Sequence, residues 1–429
     1  MRRLFKNAML YQNGGFSQLD IVTEDGRIAS IAPHIDPQSA DKVFDLTDKH
    51  IVPGLADVHV HLRQPGFSYK ETIFTGTRAA ARGGFTCVCS MPNLSPAPDT
   101  PEHLMAQAAL IKQDAVIDVR PMATITMGGM GEGRLVDFGA LKSMAVAFSD
   151  DGKGVQRQEQ MLKAMLEVKE TGRLIAAHCE DDLLVRGGII HDGVYAREHH
   201  LPGISSESEW KPILRDIALV QETGCPYHVC HVSAKESVTL IRQAKSLGLD
   251  ITCETAPHYL CFTDEMLEDD GRYKMNPPIR AYEDQQALVA AVADGTIDML
   301  ATDHAPHSAE EKTGGLRHSL NGIVGLETAF GAYYSRLVRT GLMDLPALID
   351  CICIAPRKRF SLGGGVIREG VKADFCVLDT HKQWTVNPDD FLSMGKSTPF
   401  AGKTLWGDNI MTVYQDNILW QAQEVRELP

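Results

Sequence analysis

The chain has 429 residues, of which 44% are hydrophobic and 23% charged, a composition typical of folded globular proteins rather than disordered chains. Its 42 lysines and arginines and 56 aspartates and glutamates give a net charge of −14, which argues against nucleic acid or an anionic membrane as a partner. An anionic small molecule stays open, because it needs only one or two local cations. The ten cysteines form no C-x-x-C motif and indicate buried thiols in a reducing compartment rather than a disulfide framework.

The sequence carries no signal for export or for a membrane span. Residues 1–7 are basic, but no continuous apolar segment and no cleavage site of a signal peptide follow them. No stretch approaches the roughly 18 uninterrupted apolar residues of a membrane helix. We therefore expect a cytoplasmic protein.

Both ends of the chain have the pattern of short β-strands. In residues 1–52, two apolar runs surround Glu24-Asp25-Gly26, which is a hairpin signal. Residues 363–429 contain similar runs, and the last two are joined at Asp416-Asn417. Neither end is long enough to bury a core by itself. We therefore predict that the two segments pair to form one small β-sandwich domain.

Residues 53–362 alternate between apolar, β-branched runs and helical patterns. The predicted strands are residues 56–60, 85–91, 116–126, 144–148, 173–178, 227–231, 250–254 and 298–302. Helical patterns lie between most of them, for example at residues 72–82, 159–170, 210–222, 235–246 and 285–293. This alternation predicts an α/β fold, a (β/α)₈ barrel of the TIM type, as the larger domain. A doubly wound open sheet is the alternative, but no glycine-rich phosphate-binding motif follows any of these strands.

Histidines and aspartates recur where the predicted strands end. They are His59 and His61 at the first strand, Asp150 and Asp151 after the fourth, His178 at the fifth, His231 at the sixth and Asp303 after the eighth. In a barrel these strand ends lie on one face, which carries the active site. Residues two apart on a strand project to the same side, so both imidazoles of the first strand can reach one metal ion. Imidazole and carboxylate ligands without thiolate favour Zn²⁺ over Mn²⁺, Co²⁺ or Fe²⁺, and four histidines fit two ions that share a carboxylate.

The segments around these residues resemble the motifs of a known family. In chain order they are DVHVHLRQPG, SMPNLSPAPD, AFSDDG, AHCED, CHVSA, MNPPIR, ATDHAPH and GLET. Together they resemble the amidohydrolase superfamily and, more narrowly, the class I dihydroorotases, over nearly the whole chain. H-x-H alone is a weak signal, whereas H-x-H-x-R-x-P-G combined with M-P-N and A-T-D-H-A-P-H is specific.

The resemblance implies a zinc site with two ions per chain. By the family pattern, the first ion is held by His59, His61 and Asp303, the second by His178 and His231, and Asp151 bridges the two. Many amidohydrolases use a carboxylated lysine as the bridge, whereas class I dihydroorotases have an aspartate there. Lys153 and Asp150 are therefore the alternatives to Asp151.

The resemblance also implies an activity, the reversible cyclisation of N-carbamoyl-L-aspartate to L-dihydroorotate with loss of water, in de novo pyrimidine (UMP) biosynthesis. In the hydrolytic direction a metal-bound hydroxide attacks the ring amide, and Asp303 is the catalytic general base. The family's substrate-binding positions match His61, Arg63, Asn93, Asn276, His307, Asn321 and Gly322. The planar guanidinium of Arg63 suits the substrate carboxylate. The polar loop at residues 307–315 contains two glycines and is expected to act as a lid.

Two other functions are kept as alternatives. Hydantoinases and allantoinases share the barrel and H-x-H, but they generally have a lysine bridge and lack an arginine at the position of Arg63. A non-catalytic dihydroorotase-like subunit of aspartate transcarbamoylase would have lost metal ligands, and this chain retains all six. The expected partner is a small-molecule substrate, with no nucleic acid and no membrane. A homodimer and an association with aspartate transcarbamoylase stay open.

Overall fold

The computed structural model describes residues 1–415 and 417–428. Its larger unit is a closed ring of eight parallel strand segments. In chain order they are Leu55–Val60, Phe85–Ser90, Asp118–Pro121, the bridging residue Phe148, Ile175–Ala177, Tyr227–Val229, Ile251–Thr255 and Met299–Leu300. Each segment pairs with the next, and the pairing of Val60 with His304 closes the ring. The predicted (β/α)₈ barrel is therefore confirmed.

The fourth strand is shorter than the predicted 144–148. A turn that follows the short helix Phe138–Leu141 occupies residues 142–144, so only the end of the apolar run is extended. Phe148 is the residue that meets both neighbouring strands, at Ala123 and Ile175. The ring stays closed at this point because the backbone bonds on both sides of Phe148 are made.

Helices follow the strands and surround the ring. The longer ones are Ile73–Arg82, Pro101–Asp114, Gln158–Lys169, Glu207–Thr223, Lys235–Ser246 and Tyr282–Ala293. After the eighth strand the helical segments are Ala329–Tyr333, the π-helix Tyr334–Val338, Leu345–Ile349, the π-helix Asp350–Ile354 and Ala355–Arg359. Shorter helices are Asp182–Val185, Val194–Glu198, Pro257–Cys261 and Gly315–His318. In the part of the chain that the structure describes, none of the helices has the length and apolar character needed to cross a bilayer.

The two ends of the chain share one sheet. Its strands are Arg2–Gln12, Gly15–Glu24, Arg27–Ala32, Lys42–Asp45, His50–Pro53, Asp374–Thr385, Thr404–Tyr414 and Asn417–Gln421. The N-terminal and C-terminal parts meet where His50–Pro53 pairs antiparallel with Asp374–Thr385. The predicted hairpin turns at Asp25-Gly26, whereas Asp416, of the second predicted turn, lies outside the described residues. The boundaries of the two domains at residues 52/53 and 362/363 stay predictions.

Apolar side chains fill much of the interior of the barrel and of the small sheet. Inside the ring, small and medium apolar side chains fill the space between the strands, among them Ala56, Val58, Cys87 and Ala176. The small sheet has a core of its own, where the ring of Phe5 lies 5.3 Å from that of Phe44 and 5.2 Å from that of Phe375. The carboxyl ends of the barrel strands and the loops that follow them are thus left to form a site.

Candidate active site

The structure brings the six predicted metal ligands together at the carboxyl end of the barrel. His59 Nε2 lies 3.3 Å from Asp151 Oδ1 and 3.5 Å from Asp303 Oδ1. His61 Nε2 lies 3.5 Å from Asp151 Oδ2 and 3.2 Å from Asp303 Oδ1. On the other side, His178 Nδ1 and His231 Nε2 each lie 3.6 Å from Asp151 Oδ1. Asp151 therefore stands between the two pairs of histidines.

The donor atoms of this cluster fit a metal ion. His59, His61 and Asp151 offer ligand atoms within 4.8 Å of one another, and so do Asp151, His178 and His231. Among the described residues, His59 Nε2 and Asp151 Oδ1 lie 3.3 Å apart and are both buried without a hydrogen-bond partner. Buried polar atoms are almost always paired, so two such atoms facing each other fit the ligands of a metal ion.

The pKa values of the cluster also fit a bound cation. Burial would raise the pKa of Asp151, but the neighbouring His59, His178 and His231 hold it well below its usual value. Burial lowers the pKa of His178, but its contacts with Asp151 and Glu180 outweigh burial and raise the pKa to about 10. The carboxylates thus favour positive charge at this point, and a metal ion would displace protons from the imidazoles when it binds.

A second carboxylate orients His59. Glu254 is the last residue but one of the seventh barrel strand, and its Oε1 lies 2.7 Å from His59 Nδ1. Its Oε2 lies 3.1 Å from Nε2 of His228, which is also buried. A carboxylate on one ring nitrogen fixes the tautomer and turns the other nitrogen toward the ligand position. Sequence reasoning missed Glu254 and His228, although Glu254 is the last residue of the predicted strand 250–254, and this is the signal that identified the other ligands.

The two alternative bridges are directed elsewhere. The carboxylate of Asp150 accepts hydrogen bonds from the backbone N–H groups of Ile125 at 2.7 Å and Gly131 at 3.1 Å, which shapes the loop after the third strand. Lys153 is exposed. Asp151 is the member of this group whose side chain faces the histidines.

A cavity of about 210 Å³ opens beside the cluster. Its walls contain His61, Arg63, Asn93, Asp151, Gly152, His178, His231, Asn276, Asp303, Ala305, His307, Asn321 and Gly322. All seven predicted substrate-binding residues are thus brought to one cavity, although their roles stay predictions. A larger cavity of about 580 Å³ lies outside the barrel mouth, beside Arg336 and Lys403, away from this cluster.

One wall of the cavity carries positive charge. The Arg63 side chain is buried, and its Nε donates to the carbonyl oxygen of Pro306 at 3.0 Å. Its Nη2 lies 3.4 Å from His307 Nε2. Burial and the charge of Arg63 lower the pKa of His307 to about 4, so this imidazole is neutral at neutral pH. The guanidinium is therefore the permanent cation that this wall offers to an anionic group.

His307 is held by a network that the sequence did not reveal. Its Nδ1 lies 3.0 Å from Glu311 Oε2 and 3.3 Å from Lys70 Nζ. Its Nε2 lies 2.8 Å from the carbonyl oxygen of Asn321. Lys70 and Glu311 pair at 2.9 Å, which joins the loop after the first strand to the loop after the eighth. His307 and Glu311 are four residues apart, a spacing at which side chains can meet, whereas the distance of Lys70 along the chain gives no signal for its contacts.

Three residues of the site have left-handed backbone conformations, which non-glycine residues seldom adopt. The φ angles are +60° at Arg63, +35° at His231 and +48° at Asp303. Such conformations cost about 1–3 kcal/mol each and persist where the surrounding structure imposes them. They are typical of sites in which side-chain direction matters more than local stability.

Comparison with known proteins agrees with this geometry. The family profile described as "Dihydro-orotase-like" matches residues 48–237. Proteins named Dihydroorotase from Anoxybacillus flavithermus and Ligilactobacillus salivarius are 46% and 45% identical to the chain, over 98% and 99% of its length and 99% and 100% of theirs.

Two solved structures with the same architecture are named as hydantoinase or dihydropyrimidinase. The L-hydantoinase (dihydropyrimidinase) of Arthrobacter aurescens has a TM-score of 0.88 at 26% identity, covering 99% of this chain and 97% of that one. The dihydropyrimidinase of Brevibacillus agri has a TM-score of 0.87 at 22% identity, covering 100% and 96%, and this likeness shows the fold alone. The identity to the first group extends over the full length of those proteins. The chain therefore belongs to the dihydroorotase family.

Proposed function

We propose that the chain is a dihydroorotase, a cyclic amide hydrolase that interconverts N-carbamoyl-L-aspartate and L-dihydroorotate in pyrimidine biosynthesis. The observation that carries the proposal is that one cavity holds both the Asp151–histidine cluster and the guanidinium of Arg63. A cyclic amide with a carboxylate substituent needs both features, a centre that activates the amide and a cation that binds the carboxylate.

The metal we propose is Zn²⁺, with two ions per chain. His59, His61 and Asp303 would hold one ion, His178 and His231 the other, and Asp151 would be shared. Imidazole and carboxylate ligands without thiolate suit zinc. Bound zinc supplies Lewis acidity, which polarises a carbonyl group and makes water acidic enough to attack it at neutral pH.

The cavity residues would bind and orient the substrate. Arg63 would pair with the carboxylate that dihydroorotate and carbamoyl aspartate share. Asn93, Asn276 and the backbone at Asn321 and Gly322 would supply hydrogen bonds to the ring amides. Because the substrate is then held at two places, its reacting carbonyl is presented to the centre in one orientation.

Asp303 would move the proton. Burial would raise its pKa, but contact with His61 and the charges of the neighbouring imidazoles lower the pKa below the usual value. The group is therefore a carboxylate at neutral pH and can accept a proton from the attacking water. It would return that proton to the ring nitrogen as the amide bond breaks, and ring closure would use the same steps in reverse.

A substrate comparison tests this function against the hydantoinase alternative. Dihydrouracil has the ring of dihydroorotate without the carboxylate. We expect the zinc-loaded protein to hydrolyse L-dihydroorotate with a kcat/KM at least about 100-fold above that for dihydrouracil, the scale of a lost charge-assisted bond. Equal rates on the two compounds would favour a hydantoinase-type activity. Turnover of neither, by fully metallated protein, would contradict both assignments.

The remaining expectations concern assembly and location. We propose that the enzyme works on small molecules in the cytoplasm. A homodimer and an association with aspartate transcarbamoylase are open to a direct measurement, light scattering of the chain alone and after mixing with the transcarbamoylase. The presence of all six proposed ligands favours an active enzyme over a non-catalytic subunit of such an assembly.

A further inference from the structure

Lys312 lies in the loop after the eighth barrel strand and is half-buried. Its Nζ donates to three backbone carbonyl oxygens, those of Lys274 at 3.0 Å, Leu320 at 2.7 Å and Gly322 at 2.7 Å. An ammonium group has three N–H donors, so these three contacts use all of them. A half-buried lysine whose Nζ donates to backbone carbonyl oxygens of two chain segments holds those segments in place.

The segments that Lys312 holds are two walls of the catalytic cavity. Leu320 and Gly322 flank Asn321, and Asn321 and Gly322 line the cavity. Lys274 precedes Asn276, which lines it from the loop after the seventh strand. Lys312 itself is not among the lining residues, so any effect on substrate must pass through the backbone that it binds.

The same region is joined by close backbone packing. The N–H of Gly322 donates to the carbonyl oxygen of Lys274 at 3.1 Å, and the N–H of Leu320 donates to that of Glu311 at 3.0 Å. Gly322 has a φ of +138°, and a side chain there would bring a Cβ within 2.5 Å of the carbonyl oxygen of Ala305. The segment therefore has a fixed, tight path. Without the Lys312 side chain, the carbonyl oxygens of Leu320 and Gly322 would lose this donor, and that of Lys274 would keep the N–H of Gly322.

We propose that Lys312 is a positioning residue for the reaction, whose ammonium fixes the Asn321–Gly322 segment and the Asn276 loop at the spacing that the substrate ring requires. The inference rests on the proposed function, because it assigns those two walls to dihydroorotate binding. Lys312 does not line the cavity, and its Nζ contacts backbone carbonyl oxygens rather than the proposed metal ligands. Its removal should therefore weaken substrate binding while leaving the metal content unchanged.

The test compares Lys312→Met with a matched control, Lys169→Met. Lys169 also donates Nζ to a backbone carbonyl oxygen, that of Thr223 at 2.7 Å, but it lies on a barrel helix away from the cavity. In Lys312→Met we expect the KM for dihydroorotate to rise about 10-fold or more, the scale of losing a charged hydrogen bond, with a smaller change in kcat. The control should match the parent in both parameters, and both variants should keep the parent's metal content.

Amide hydrogen exchange gives a readout that does not depend on activity. In Lys312→Met the amides of Leu320 and Gly322 should exchange at least about 10-fold faster than in the parent, since their bonds lose the group that holds the segment. Lys312→Gln keeps N–H donors on a shorter side chain, so its exchange rates at these amides should lie between those of the parent and those of Lys312→Met. Exchange unchanged in Lys312→Met would overturn the proposal, and so would faster exchange with an unchanged KM.

The outcomes separate this inference from the proposed function. If the metallated parent does not turn over dihydroorotate, the proposed function fails, and exchange at Leu320 and Gly322 still decides whether Lys312 fixes the segment. If the parent is active and Lys312→Met equals it in KM, only the inference fails. If neither variant at this position folds, fast exchange of these two amides in the parent would overturn the proposal, and slow exchange would support it.

Discussion

Replacing Arg63 by methionine tests the assignment of the substrate carboxylate. The change removes the guanidinium and keeps an unbranched side chain of similar length, so the buried stem is retained. In the structure the Nε of Arg63 donates to the carbonyl oxygen of Pro306, while the rest of the guanidinium borders the cavity beside His307. Methionine loses the backbone bond as well as the charge, and a control must therefore account for that bond.

The expected loss follows from the burial of Arg63. Its side chain is 8% exposed, so solvent does little to screen a pair that it forms with a carboxylate. Truncating one partner of a buried charge pair costs about 2–5 kcal/mol. At about 1.4 kcal/mol per factor of ten, the KM for dihydroorotate should rise about 30-fold to several thousand-fold. Metal content should not change, because Arg63 is not part of the cluster.

Initial rates on dihydroorotate and dihydrouracil, with metal analysis of each protein, measure this effect. Because dihydrouracil has no carboxylate, Arg63→Met should act on it nearly as the parent does. The control is Arg336→Met, since Arg336 donates its Nε to the carbonyl oxygen of Leu260 at 2.8 Å beside the other cavity. The carboxylate assignment is wrong if Arg63→Met has the parent's KM for dihydroorotate. It is also wrong if the KM for dihydrouracil rises as much as the KM for dihydroorotate.

Two further predictions concern the metal centre. Asp151→Ala should lose at least one metal ion per chain and nearly all activity, because it removes the carboxylate between the two histidine pairs. A second experiment strips the metal from the parent protein and restores it with and without bicarbonate. If activity returns only with bicarbonate, a carboxylated Lys153 is favoured as the bridge. Glu254→Gln should lower metal affinity about 10–100-fold in a chelator competition, because it weakens the hold on His59, whereas Glu222→Gln, on an exposed helix face, should not. Equal affinities in Glu254→Gln and the parent would show that His59 needs no partner.

The barrel was predictable because its strands are local features of the sequence. Apolar runs of the right length recur with helical patterns between them, and one closed topology accommodates eight of them. The same logic predicted which side chains meet, since residues at strand ends share one face whatever their distance along the chain. His59 and Asp303 come together for this reason, although they are 244 positions apart in the sequence. The fourth strand was overestimated because a turn after the helix Phe138–Leu141 competes for the same residues.

The supporting contacts were not predictable in the same way. The contact of His307 with Lys70 and the contact of Lys312 with Gly322 depend on the paths of long loops, which hydrophobic periodicity does not determine. Glu254 reaches His59 across the barrel interior, which depends on side-chain length and on which neighbours are small. Sequence patterns thus identified the groups proposed for the chemistry, and the structure added the groups that hold them.

The role of Asp303 is the prediction in which binding and chemistry can be separated. Asp303 is proposed both as a metal ligand and as the base. Loss of the ligand should lower metal content, whereas loss of the base should lower kcat. Asp303→Asn keeps an oxygen that can still contact a metal ion, but its amide cannot accept a proton at neutral pH. We therefore expect the variant to keep much of its metal content and its substrate binding, while kcat falls at least about 100-fold, the usual scale of general acid–base assistance. Asp182→Asn, on an exposed position after the fifth strand, is the control and should match the parent.

The pH dependence of hydrolysis gives the second readout for Asp303. Because its surroundings lower the pKa of Asp303 below the usual value, the parent should keep the carboxylate form as the pH falls toward that lowered pKa and lose activity below it. The Asn variant has no such group, so the part of the acidic limb that reports its protonation should disappear from the pH–rate profile. A rate ratio between parent and variant that shrinks at low pH would fit this expectation. A fully metallated Asp303→Asn protein that turns over near the parental rate would show that the carboxylate is only a ligand, and His307, which faces the same cavity with a neutral imidazole, would be the next base to test.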